Sequence, residues 1–287
     1  MANTILTPSI IANEALMVLR NNAVMSQLVH RDYSDEFAQV GDTITIRKPA
    51  TFVANEFNDS AGITIQDATE GSVPVKIDKH LDVSFAVTSK EMALDIKDFS
   101  AQFLVPAMQA FADKIDSYLI ALGAGITNRT TATDDTKGDV IKARKFLTEN
   151  AVPLAGRNFV YDADLEAKLL STELFVSAEK VGDEGTALRE ASLGRKFGMD
   201  FYVDQNITPA GVGDAEGIAF HKNAFALVTR PLALPQGASK SAIVNYDGFG
   251  LRVVYDYDMD KKTDIVSIDM ICGVKTLDKN LAAVIQK

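Results

Sequence analysis

The chain has 287 residues, 47% hydrophobic and 24% charged, a balance that fits a globular protein with one large core or two modest ones and excludes a disordered or fibrous chain. Lys and Arg number 29 against 39 Asp and Glu, so a formal charge of −10 sets the mean field against nucleic acid and anionic lipid. One cysteine, Cys272, excludes an internal disulfide and, with three scattered histidines, argues against a Cys/His metal site, while the longest apolar runs, such as residues 15–19, fall short of the roughly 20 residues that a membrane-spanning helix needs.

Residues 1–4 carry no basic stretch, and Pro8, Asn13 and Glu14 interrupt the apolar letters that follow, so the N-terminus does not read as a secretory signal. The chain is expected to stay in the reducing compartment where it is made. The sequons at Asn58, Asn128 and Asn206 are accordingly read as chance matches.

Thr7 followed by Pro8 has the form of an N-cap with proline at the first helical position, and the pattern predicts a helix over residues 10–19. Only Asn13 and Glu14 are polar in it, so the helix needs cover on most sides, either from its own core or from a neighbouring subunit. A strand is expected over 43–47, ended by Lys48-Pro49. A longer alternating run over 73–87 sets Val75, Ile77, Leu81, Val83, Phe85 and Val87 against polar partners. Residues 50–72 between them are polar, with thin apolar alternation, and exceed the roughly 12 to 15 residues of an ordinary loop, which predicts a projecting hairpin. Two strands alone are marginal in water and an exposed edge invites another chain, so this hairpin reads either as a segment stabilised by a partner or as a mobile surface loop. The candidate inter-subunit contacts are Ile10, Ile11, Leu16 and Val18 in the helix and Phe52, Phe57, Ile63 and Ile65 in the hairpin.

Over residues 95–122, Leu104, Met108, Phe111, Ile115, Tyr118 or Leu119, and Leu122 repeat at steps of three and four, one apolar helical stripe. Pro106 inside it predicts a kink or a restart, and Gly123 and Gly125 end it. Residues 126–137 read as a polar linker and domain boundary. Beyond them helices at 139–150 and 162–170 alternate with strands at 158–161, 199–203, 218–220 and 224–228, a compact α+β unit closed by Pro231 and Pro235. The last segment is a long antiparallel hairpin in which Phe249, Leu251, Val253, Tyr255 and Tyr257 face Val266, Ile268, Met270, Cys272 and Val274 across a turn at 260–263.

Chemistry is thin along this path. Gly123-Ala124-Gly125 and Gly211-Val212-Gly213 do not complete a nucleotide fingerprint, and His30, His80 and His221 stand without an evident orienting partner. Asp256, Asp258 and Asp260 occupy positions 1, 3 and 5 of a calcium loop, but Lys261 takes the place of the turn glycine and Ser267 that of the final Glu, so the run reads as a solvated hairpin tip. Cys272 alternates with apolar neighbours as a small buried hydrophobe. No catalytic group, cofactor or metal is predicted, and an acidic hydrolase using Asp162 and Asp164 is the alternative from another class.

The order of parts, together with particular strings, resembles the major capsid proteins of tailed double-stranded DNA phages, the Hong Kong 97-type coat fold. The strings are Ala2-Asn3-Thr4-Ile5-Leu6-Thr7-Pro8, the run from Gly41-Asp42 through Lys48-Pro49, the run from Leu193-Gly194 through Tyr202-Val203, and Ala219-Phe220-His221-Lys222-Asn223-Ala224-Phe225-Ala226. They are most similar to coat proteins of Salmonella-type short-tailed phages. The resemblance implies an α+β fold with an N-terminal arm (1–40), an E-loop hairpin and its base strands (41–90), a spine helix in a peripheral domain (91–122), an axial domain around the pentamer or hexamer centre (123–235), and a returning β-hairpin with the C-terminus (236–287). It implies a shell protein that partners itself and the phage's scaffolding, portal and decoration proteins, touches packaged DNA weakly and without sequence preference, avoids membranes, and resides in the virion after assembly in the host cytoplasm. An encapsulin-like compartment shares the fold and is the nearer alternative. The inserted domain of the Salmonella-type coat has little room here, and no Lys and Asn pair for a covalent crosslink is identified.

Overall fold

A computed structural model describes residues 15, 23–31, 43–48, 52, 54–57, 59, 65–66, 71–88, 104–172, 193–207, 215–237, 240–246 and 249–287. In chain order the elements are α1 (Met25–Leu28), β1 (Thr43–Lys48), β2 (Gly71–Lys76), β3 (Lys79–Thr88), α2 (Val105–Ala121), β4 (Arg129–Thr131), α3 (Thr136–Glu149), β5 (Arg157–Tyr161) and α4 (Ala163–Ser171). They continue with β6 (Arg195–Lys196), β7 (Met199–Val203), β8 (Ala215–His221), β9 (Phe225–Arg230), β10 (Lys240–Tyr246), β11 (Phe249–Asp258), β12 (Thr263–Thr276) and β13 (Ala282–Gln286).

Three sheets form among the described residues: β1 with β2, a five-stranded sheet ordered β10-β11-β12-β3 in which β9 also pairs with β12, and a six-stranded sheet ordered β4-β13-β8-β5-β7-β6. The alternation at the end of the chain does what its period requires. β11 and β12 pair antiparallel with Val253 opposite Ile268 and Tyr255 opposite Val266, and these residues lie buried on one face with Phe249, Leu251, Met270 and Cys272. β12 is long enough to hold β3 along one edge while β11 and then β9 follow one another along the other.

The helix α2 buries Met108, Phe111, Ile115 and Leu119 in the large core shared with β11, β12, β8 and β13. Pro106 stands in the first turn of α2, where a missing N–H breaks no bond within that element. A second core lies on the far face of the six-stranded sheet, where Val140, Ala143 and Leu147 of α3 and Leu165 and Leu169 of α4 cover Phe159, Tyr161 and Phe201. Both helices are capped by aspartates: the Asp135 carboxylate accepts the Gly138 N–H at 3.0 Å and that of Asp162 accepts the Leu165 N–H at 2.8 Å.

Three sequence expectations change. The expected linker at 126–137 contains β4, which pairs in parallel with β13. Arg129 turns back from β4 to bond the carbonyls of Gly123, Ala124 and Ile126 at the end of the preceding helix, so this stretch is tied down at both faces. The run at 73–87 is two strands, because Ile77-Asp78 breaks the ladder: β2 pairs with β1 while β3 pairs with β12. Residues 236–287 do not stay together either. β9, before that boundary, joins β12, and β13, after it, enters the six-stranded sheet between β4 and β8.

Candidate assembly surfaces

Residues 23–31 form a tied root for whatever precedes them. Asp116 of α2 accepts the N–H groups of Val24 at 2.7 Å and Ser26 at 2.9 Å. The His30 N–H donates to the Phe225 carbonyl at 3.1 Å, and the Leu227 N–H donates to the His30 carbonyl at 3.0 Å, so this segment bridges to β9. Met25 and Val29 are buried in the large core, as is Ala15 further upstream. Of the contacts expected in the N-terminal helix, Ile10, Ile11, Leu16 and Val18 lie outside the described residues.

The base of the expected hairpin is built as a hairpin base: β1 and β2 run antiparallel, with Lys48 opposite Gly71, so residues 49–70 leave and return at one place. Phe52, Phe57 and Ile65 in this excursion are 65%, 67% and 85% exposed, while Ile63 lies outside the described residues. Large apolar side chains so exposed on one excursion are the condition in which another molecule gains most by covering them. The base itself is anchored: Ile46 and Val75 pack against Ala226 and Val228 of β9.

The groups considered for chemistry hold structural positions. Asp162 is an N-cap, its carboxyl raised first by burial, and Asp164 is surface-paired with Lys287 at 3.1 Å. A cleft of about 330 Å³ beside them is lined by Thr133, Thr136, Lys168, Ser171, Glu216 and Lys287 among others, and its buried acid, Glu216, is neutralised by Lys168 at 2.9 Å. His80 sits 3.6 Å from Asp269, whose carboxylate is gripped from both oxygens by Arg252. His221 accepts the Asn223 N–H on Nδ1, and burial lowers its pKa. At the β11–β12 tip, the Asp258 carboxylate accepts the N–H groups of Asp260 and Lys261, so it closes the turn that the calcium pattern would have opened. Burial pushes the Cys272 thiol up to about 11, as befits a core residue. Sequence reasoning missed Asp116. The signal was there, since it stands four residues after Ala112 and four before Ile120, on the buried face of the helix.

No family model and no curated protein matches the sequence. Solved structures do. The chain is similar to a structure from Mycobacterium phage Che8, with a TM-score of 0.69 and 21% identity over 92% of this chain and 90% of that one. The capsid of the cyanophage P-SCSP1u aligns with a TM-score of 0.65 and 14% identity over 92% of this chain and 88% of that one. A virus-like particle from Pyrococcus furiosus aligns with a TM-score of 0.54 and 12% identity over 96% and 97% of the two chains. The chain has the Hong Kong 97-type coat fold. The likeness covers about nine-tenths of the chain, and the α+β expectation holds.

Proposed function

We propose that this chain is a major capsid protein that self-assembles into the closed shell around the double-stranded DNA of a tailed phage. The observation that carries the proposal is the coat fold, matched over about nine-tenths of the chain by structures from phages, in a molecule that holds large apolar side chains out on an anchored hairpin. In this reading residues 50–72 are the E-loop, with Phe52, Phe57, Ile63 and Ile65 reaching a neighbour. Residues 1–40 are the arm, with Ile10, Ile11, Leu16 and Val18 as its contacts. Residues 91–122 are the spine, 123–235 the axial domain with β9 passing to the other large sheet, and 236–287 the returning strands and the C-terminus, whose β13 rejoins the axial sheet. The strings at 2–8, 41–49, 193–203 and 219–226 favour the Salmonella-type short-tailed group. Partners beyond itself would be scaffolding, portal and decoration proteins, the site the virion, and the place of assembly the host cytoplasm. The chain would do no catalysis.

The physics suits the role. A shell filled with polyanion gains from an acidic subunit that does not trap DNA, and the charge of −10 provides this. Repulsion between copies is then offset by apolar cover: at about 25 cal/mol per Å², a few hundred Å² per neighbour supplies several kcal/mol. The similarity to the Pyrococcus furiosus virus-like particle keeps a compartment without phage DNA as the second reading, separated by whether purified particles hold DNA or protein.

Velocity sedimentation tests the arm directly. Wild-type chain is expected to run as large particles and Leu16→Asp as small species with an unchanged circular dichroism spectrum, because the variant buries an unpaired charge at the contact. Particles formed normally by Leu16→Asp would remove the arm from the assembly contacts.

A further inference from the structure

Asp116 interrupts the apolar stripe of α2 and is 1% exposed. One carboxylate there holds the start of α1, a segment 90 residues away in sequence, through the N–H groups of Val24 and Ser26. Asp204, directly after β7, is 2% exposed and adds to the negative field on Asp116. The Asp204 Oδ1 accepts the Asn206 N–H at 2.9 Å, and its Oδ2, cut off from solvent, has no hydrogen-bond partner among the described residues. A second buried acid thus lies within electrostatic reach of the one that holds the root of the N-terminal segment to the central helix.

Among the described residues the other charges nearby do not neutralise them. Asp113, one turn back on α2, is exposed and adds to the negative field on Asp204. Lys114 and Lys79 are engaged with the Tyr118 ring at 5.3 and 4.8 Å. Residues 23–29 carry no ionisable side chain; after them come His30, whose backbone is tied to β9, and Arg31, which lies over the Phe249 ring at 5.0 Å. Burial therefore dominates and pushes the Asp116 carboxyl up to about 7, Asp204 adds to the rise, and the N–H groups of Val24, Met25 and Ser26 oppose it.

We propose that Asp116 and Asp204 form a proton-controlled latch on the root of the N-terminal segment, closed when Asp116 is protonated and loosened when both carboxylates are ionised. This goes beyond the shell reading and applies to the folded chain whether or not it assembles. The sign follows from where the proton binds more tightly. In a locally opened, solvated root Asp116 titrates near its ordinary 3.8, so the closed form gains over the open one at low pH. That gain is lost as the pH rises towards about 7. Across this window the opening equilibrium climbs by up to about tenfold per pH unit, and above it the climb ends.

Hydrogen exchange on the full chain, corrected for the pH dependence of amide chemistry, reads the latch at residues 24–28. Protection there is expected to fall at least about tenfold between pH 5 and pH 7 and to level off above about pH 7.5, while β11 and β12 stay constant. Asp116→Asn removes the titration and keeps an acceptor oxygen, so its protection should be flat over the series. Asp204→Asn should move the midpoint to lower pH. Wild-type protection that does not change over this range, or changes identically in Asp116→Asn, overturns the proposal. Should Asp116→Asn fail to fold, Asp204→Asn decides, and an unmoved midpoint overturns the proposal just as fully.

Discussion

Arg157 is 1% exposed, and its guanidinium is satisfied without a carboxylate. Nε donates to the Pro153 carbonyl at 2.9 Å, one terminal nitrogen to Val152 at 2.6 Å and the other to the Thr148 hydroxyl at 3.1 Å. These acceptors cluster at the C-terminal end of α3, where the helix dipole is negative and favours a buried cation. The same contacts fix the turn that lifts Ala151 into positive φ and holds Leu154 64% exposed. Arg157→Met fills the space but strands the buried Val152 carbonyl and takes the donor from that of Pro153, so urea unfolding should show a loss of about 2–4 kcal/mol. Arg157→Lys should recover little of it, because one ammonium cannot serve three divergent acceptors. A cost below about 1 kcal/mol for Met would mean that water replaces the guanidinium freely.

At the scale of elements, the base of the excursion at 49–70 is anchored by the β1–β2 pairing and its packing on β9. Deleting residues 54–68 and joining the ends with a short turn leaves the β1–β2 pairing and its contacts with β9 in place. The shortened chain is expected to melt within a few degrees of wild type while particle formation is lost. A collapse in melting temperature would show that the segment packs on its own chain. How readable each element was follows from what holds it. β11, β12 and α2 were legible because each builds one face of a core and so carries a clean period of two or 3.6. β4 and β13 were not, because Arg129-Thr130-Thr131 has no apolar face and Ala282–Gln286 is buried on both. β10, between Pro235 and the β11 hairpin, escaped because its residues are half-buried at a sheet edge. The break at Ile77-Asp78 had a trace in sequence only at a distance. Gly273 of β12 lies against it so closely that a Cβ there would stand 2.3 Å from the Lys76 carbonyl oxygen.

At the scale of the molecule, the two larger sheets are not separate bodies joined by a linker. α2, β8, β13 and the root at 23–31 contribute to one core with β11 and β12, and the chain crosses between the sheets at 224–225 and again at 277–281. The β1–β2 base packs in a cluster of its own with β9, and Phe52, Phe57 and Ile65 beyond it are exposed. Exposed apolar side chains beyond an anchored base suit the proposed lattice, in which each copy completes the next. Of the proposed contact residues Phe52, Phe57 and Ile65 are exposed apolar side chains, and the identity of what covers them is a property of the assembly and not of one chain. Electron microscopy of the purified full-length chain, expressed alone or with its scaffolding partner, tests this most directly. The account predicts closed shells, or the rings and sheets from which shells are built. A uniform population of small globular particles under both conditions would contradict it.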